Sequence, residues 1–169
     1  MILKTENLTL RPWEESDARC LYHFAKNPKI GPIAGWPPHE SVENSLEIIR
    51  TVFAKRETYA IVLDDIPIGC VGLLIHPDPN HWWGEGACEL GYWVAEEHWG
   101  KGYATEASRA LIKRAFDELE VENIYASYRY ENKQSGRVLE KLGFRYLAEL
   151  NNVNYAGEPF IEIAVKLEK

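Results

Sequence analysis

The chain has 169 residues, 46% hydrophobic and 12% aromatic, enough for one domain with a real core and too few for two ordinary ones. Its formal net charge of −7 argues against nucleic acid as the main partner, because neutralising phosphates takes a basic face. An acidic protein draws in cations, amines among them, although the same charge also serves solubility.

No apolar run approaches the ~20 residues that span a bilayer, and the opening MILKTENLTLRPW lacks a signal-peptide core, so no membrane partner is expected. Cys20, Cys70 and Cys88 have no CxxC spacing. They read as reduced thiols of a cytoplasmic protein, with neither a disulfide framework nor a metal site.

In chain order, LTLRPW (Leu8 to Trp13) alternates apolar and polar residues and opens as a strand. EESDARCLYHFAKN follows as a helix with Ala18, Leu21, Tyr22 and Ala25 on one face, stopping at Asn27-Pro28. PKIGPIAGWPPHE holds four prolines and reads as a stiff loop. Ser41 with Asn44 starts a second helix that ends near Lys55.

YAIVLDD and IGCVGLLI are two strands around a tight turn at Asp64-Asp65. HPDPNHWWGEGA is a polar and aromatic loop, and CELGYWVA is the next strand. Ala104, Ala107, Leu111, Ala115 and Leu119 mark a helix. NIYASYRY is a strand, QSGRVLEKLGF a short helix stopped by Gly143, and FIEIAVKL a closing strand. The sum is one mixed α+β domain over residues 1–169, with a crossover helix between two parallel strands.

HWGKGYATEA (His98 to Ala107) carries the chemistry. A P-loop needs GxxxxGK followed by Ser or Thr, yet Gly102 follows Lys101 and no glycine lies five residues before Gly100. A dinucleotide fingerprint needs a third glycine where Thr105 stands, and an opening βαβ unit that this chain lacks. What remains is a strand, a glycine loop and a helix N-terminus, which suit a pyrophosphate; two glycines that merely permit a turn explain the motif equally well.

Together with the strand ELGYWV and the downstream YENKQSGRVLEKLGF, this loop resembles the GNAT superfamily of acetyl-CoA-dependent N-acetyltransferases. LTLRPW with the following Asp, and NP near the N-terminus, are similar to its RimJ/RimL type, so the resemblance covers nearly the whole chain. It implies a central mixed, mostly antiparallel sheet of about seven strands flanked by about four helices.

The resemblance also implies that acetyl-CoA is bound and coenzyme A released. The amides of Gly100, Lys101, Gly102, Tyr103, Ala104 and Thr105 would hold the pyrophosphate, with Trp99 in place of the usual Gln or Arg. Trp93, Val94 and Ala95 would run along the pantetheine arm and offer an N–H to the thioester oxygen, although the Trp93 side chain reads better as core. Asn132 would contact the same arm and also cap the next helix.

The family's usual acid, a tyrosine, is replaced here by Leu139; Ser135 matches the serine used by RimL-like members. Glu89 matches the family's strand glutamate, a base acting directly or through water, its alternative being a surface glutamate at a strand edge. Glu162 is the second candidate, facing either solvent or the cleft. Trp36, Trp82, Trp83 and Tyr155 belong to loops that line the acceptor side in this fold, although two adjacent tryptophans can also plug a loop onto the domain; His76 and His81 read as polar loop residues, and Cys88 as core.

The expected reaction is direct attack of a primary amine on the thioester, with no covalent enzyme intermediate. Leu139 with Ser135 points to a protein N-terminal amine as acceptor. A small amine (polyamine, amino acid or drug) is the alternative, and a non-catalytic acyl-CoA-binding module the third reading. The closing strand fits either a monomer or a homodimer.

Overall fold

The computed structural model describes residues 1–75 and 83–169. Among them, eight strands form one sheet in the order β1-β2-β3-β4-β5-β6-β8-β7, flanked by five helices. The strands are β1 (Leu3–Lys4), β2 (Thr9–Arg11), β3 (Thr58–Leu63), β4 (Ile66–Ile75), β5 (Ala87–Val94), β6 (Asn123–Arg129), β7 (Arg145–Val153) and β8 (Pro159–Glu168). The helices are α1 (Ala18–Ala25), α2 (Gly31–Ala34), α3 (Val42–Arg50), α4 (Tyr103–Asp117) and α5 (Lys133–Lys141).

The α+β class and the mostly antiparallel sheet agree with the sequence, with one strand and one helix more. The extra strand, β1, has two residues and is too short to leave a periodic signal. The extra helix, α2, forms inside the proline-rich stretch expected to be loop: Pro32 sits in its first turn, where a missing N–H removes no helical hydrogen bond. Helix α1 begins later than expected, after a 3-10 turn at Glu15–Asp17, and buries Phe24 where Tyr22 was expected. From Leu21, helical spacing carries the inward face to residues 24 and 25.

Several local expectations hold. Ser41 caps α3 by accepting from the Asn44 N–H at 3.0 Å. Asp64 and Asp65 both take positive φ (47° and 65°), the conformation a tight two-residue hairpin turn requires.

The sheet separates two cores. Cys88, Leu90, Ile124, Ala126, Ile163 and Val165 pack with Ala107 and Leu111 of α4 and Leu139 of α5. On the other face, Ala60, Val62 and Cys70 pack with Leu21 and Ala25 of α1 and Ile49 of α3. Period-two alternation therefore sends Glu89 toward the α1/α3 face, and Leu90 and Tyr92 toward the α4/α5 face.

All pairings are antiparallel except β5 with β6. That parallel ladder spans Ala87↔Asn123, Cys88↔Ile124 and Glu89↔Tyr125, and stops there. Beyond Glu89 the two strands part while β5 stays paired to β4 as far as Val94.

Side-chain ties hold this frame. Arg11 grips Asp17 through two hydrogen bonds of 2.7 and 2.9 Å, which gives the arginine and aspartate of the opening motif a structural purpose. Glu106, in the first turn of α4, accepts from Thr5 Oγ1 at 2.5 Å and from the Asn7 N–H at 2.7 Å, tying the N-terminal hairpin to the helix that follows the glycine loop.

Deeper, Arg114 donates to Glu57 at 2.6 and 2.8 Å, Tyr59 donates to the same carboxylate at 2.9 Å, and Arg114 also reaches Glu118. The Arg114 hydrogen bonds hold the Glu57 carboxyl below the usual carboxylate range, against the opposing effect of burial. That contribution is fully present above the unfolded carboxylate pKa of ~4.3 and is lost as pH falls through the lower folded value. Arg114→Met, which strips Glu57 of its buried cation, is expected to cost about 3–5 kcal/mol in urea denaturation at neutral pH and to flatten the acid limb of stability. A loss under about 1 kcal/mol would mean the pair is dispensable.

Candidate active site

The parting of β5 and β6 opens two clefts that meet at the gap. One lies against α4 and α5, about 330 Å³, lined by Val94, Trp99, Ala104, Lys133 and Val138 among others. The second, about 750 Å³, lies on the α1/α3 side and includes Trp36, Glu89, Ser127, Arg129, Asn152 and Glu162. Tyr92, Trp93, Asn132 and Ser135 line both.

At the first cleft, the glycine loop runs into α4. Gly100 and Gly102 have φ of 72° and 83°, a region L side chains avoid, and a Cβ at either would meet nothing within 4 Å. Internal crowding therefore does not call for glycine here; the backbone conformation does, and the space outside the loop is left open. Gly102 is the residue before α4 and supplies no side-chain cap, and the first helical hydrogen bond runs from the Glu106 N–H to the Gly102 carbonyl at 2.9 Å. The N–H groups of Tyr103, Ala104 and Thr105 thus have no partner inside the helix and point, with its positive end, at one place. A pyrophosphate fits this cradle.

Trp99 does not reach out in the manner of a Gln or Arg. Its indole N–H folds back to donate to the Val94 carbonyl at 2.7 Å, pinning the loop to the end of β5.

The β5 backbone corrects part of the expected cofactor contact. Ala95 is fully buried; its N–H donates to Ile68 at 2.8 Å and its carbonyl accepts from His98 at 2.9 Å. Antiparallel alternation turns the main-chain groups of Trp93 toward β4 with those of Ala95, and those of Tyr92 and Val94 toward the gap. Val94, with Tyr92, is therefore the residue whose N–H is offered there. The Trp93 ring packs with the α1/α3 core and meets Trp36 edge-on, 5.7 Å between centroids.

Asn132 caps α5, accepting from the Ser135 N–H at 3.2 Å. This fixes Ser135 at the meeting of the clefts, where its hydroxyl lies 2.9 Å from the Tyr92 hydroxyl. Tyr92 also donates to the Ser135 carbonyl at 3.1 Å. Burial pushes the Tyr92 phenol up, with the Ser135 bond pulling the other way, so the phenol keeps its proton. Leu139 is core, 1% exposed, with no hydroxyl to offer. Sequence reasoning missed Tyr92 because it reads as one inward residue of an alternating strand; the one clue is the position that Leu139 vacates.

On the acceptor side, Glu89 is 4% exposed, which rules out the surface-glutamate alternative. Its carboxylate accepts from the Trp83 indole at 3.0 Å, and that indole stacks on Tyr125 with centroids 4.6 Å apart. Glu162 faces the cleft and accepts from Ser127 at 3.3 Å and Asn152 at 2.5 Å. His39, also in the cleft wall, bonds Ser45 at 2.8 Å, and burial pushes its imidazole pKa down. Tyr155 is not brought to the cleft: it sits 55% exposed in the turn between β7 and β8. Trp82, with His76 and His81, lies outside the described residues. Among the described residues no cluster of side chains could hold a metal ion, and no helix is long and apolar enough to cross a membrane.

Residues 7–145 match the family described as Acetyltransferase (GNAT) domain. The chain is 29% identical to an uncharacterized N-acetyltransferase p20 of Bacillus licheniformis, over 95% of this chain and 92% of that protein. It is 28% identical to a spermidine N(1)-acetyltransferase of Vibrio cholerae, over 81% and 78%. A GNAT-family acetyltransferase structure from Bacillus anthracis superposes with a TM-score of 0.85 at 23% identity, covering 99% of this chain and 98% of that one.

Gly102→Ala tests the cradle. A Cβ at this φ strains the backbone by roughly 1–2 kcal/mol, visible in urea denaturation, and turns the α4 amides off target. Calorimetry with coenzyme A is expected to show at least about tenfold weaker binding, a change of ~1.4 kcal/mol. Unchanged affinity would remove the loop from the pyrophosphate site.

Proposed function

The chain belongs to the acetyltransferase (GNAT) family, and we propose that it moves the acetyl group of acetyl-CoA to the N-terminal amine of a protein by direct attack, in the manner of the RimJ/RimL type. The observation that carries this reading is the placement of Glu89 and the Tyr92–Ser135 pair on opposite faces of one strand, either side of the gap.

Bound in the α4/α5 cleft, acetyl-CoA supplies an activated thioester. Gly100 to Thr105 hold its pyrophosphate, and the free edge of β5 with Asn132 aligns the arm. The Val94 N–H, turned to the gap, is placed to stabilise negative charge developing on the carbonyl oxygen.

The amine enters from the α1/α3 face. Glu89 takes its proton; three residues of strand separate Glu89 from Tyr92, roughly 10 Å, so the proton travels through water. Ser135 gives its proton to the departing sulfur and is resupplied by Tyr92. A serine alone is a poor acid at neutral pH; the Tyr92 hydroxyl behind it holds a proton that can replace the one the serine gives up as charge develops on the sulfur.

Ser135 standing in for an acid on α5, with Leu139 buried, supports the protein-amine acceptor. A small amine is the second reading, favoured by the likeness to the spermidine acetyltransferase.

Thiol release from acetyl-CoA is measured against free-amine peptides, N-blocked peptides containing lysine, and polyamines. Turnover on free-amine peptides is expected, and turnover on polyamines alone would replace the acceptor. Glu89→Gln is expected to lower kcat about 10²–10⁴-fold with coenzyme A still bound. Ser135→Ala and Tyr92→Phe are each expected to lower it, and the double variant to fall little below the worse single one. Fully multiplicative losses would separate Tyr92 from Ser135.

A further inference from the structure

Arg129, the last residue of β6, lines the acceptor cleft and has no role in the reaction as described so far. Its guanidinium lies over the Phe160 ring, 4.1 Å from Cζ to centroid. Its Nε and Nη2 are shut off from solvent and have no hydrogen-bond acceptor among the described residues. Its register partner, Glu162, is engaged by Ser127 and Asn152 instead. Phe160 satisfies the face of the guanidinium and leaves the Nε and Nη2 donors, which lie in its plane, without a partner.

A guanidinium does not escape this cost by losing its proton, as a buried lysine would. It is also firmly placed relative to the reacting groups. The Arg129 carbonyl accepts from the Asn132 N–H at 2.8 Å, and the Asn132 side chain in turn holds the Ser135 N–H.

We propose that Arg129 binds a carboxylate borne by the acceptor on the same molecule as the amine that is acetylated. This rests on the transferase reading and names the acceptor's chemistry. A planar two-oxygen anion matches the guanidinium fork, and its single charge suits a cleft that already holds Glu89 and Glu162, where a dianion would be repelled. A polyamine offers only positive charge and meets Arg129 unfavourably. The carboxylate has two possible sources: the α-carboxylate of a free amino acid, or an acidic side chain next to a peptide N-terminus.

Two matched pairs separate them: leucine against leucinamide, and a peptide beginning Ala-Glu against one beginning Ala-Gln. For each, kcat/KM is measured with the wild type, Arg129→Lys and Arg129→Met. Comparing the acid-to-neutral ratio within one variant cancels any general damage from the substitution.

The wild type is expected to prefer the acidic member of at least one pair by about tenfold or more, through KM. The pair that shows it identifies the source. The ratio is expected to fall to about one in Arg129→Met and to persist in part in Arg129→Lys. Equal turnover of both members in both pairs by the wild type overturns the inference, and so does a preference that survives Arg129→Met. Silence on all four acceptors sinks the transfer reading itself and takes the inference with it.

Discussion

Strands β5 and β6 pair for three residues and then diverge, and the rest of the site depends on that divergence. A parallel ladder continued past Glu89 would consume the main-chain groups of Tyr92 and Val94 and close the sheet between the two faces. Because it stops, β5 keeps the Tyr92 main chain and the Val94 N–H as a polar edge turned to the gap, where unpaired backbone groups are costly, while the Val94 carbonyl is taken by the Trp99 indole. A ligand that lies along this edge supplies the missing partners. The same gap is the passage through which a group on one face of the sheet meets a group on the other.

Holding such a gap open requires a rigid surround. The Glu57–Arg114 pair locks α4 to the start of β3, and Glu106 locks the same helix to the N-terminal hairpin. The Trp99 indole ties the glycine loop to β5, and Asn132 ties α5 to the end of β6. Each tie fixes an element that borders the gap. Among the groups left without partners, the first-turn amides of α4 and the Arg129 Nε and Nη2 border the clefts. The ion pairs and caps that build the frame are satisfied inside the protein, whereas the α4 amides and Arg129 border the clefts and are open to a partner from outside.

Local features were legible in the sequence. The glycine loop, the start of α4, the Ser41 cap, the Asp64-Asp65 turn and the alternation of β5 all depend on neighbours a few residues apart. The site's finer chemistry depends on distant ones. Tyr92 matters because it meets Ser135, 43 positions later, and strand periodicity says only that it points inward. Arg129 matters because Ser127 and Asn152 occupy its natural partner, which no spacing rule conveys. Ala95 reads from the sequence as a cofactor contact, but Ile68 of β4 takes its N–H and the His98 N–H takes its carbonyl. Tyr155 lies in a hairpin turn whose direction the sequence leaves open, and the turn holds it away from the cleft.

The most direct measurement is a crystal structure with coenzyme A bound. The pyrophosphate should sit on the amides of Gly100 to Thr105, the arm along the Tyr92–Val94 edge of β5, and the sulfur within hydrogen-bonding reach of the Ser135 hydroxyl. Coenzyme A seated away from the gap, or with its sulfur on the Glu89 face, would contradict the division of the two faces into cofactor and acceptor sides.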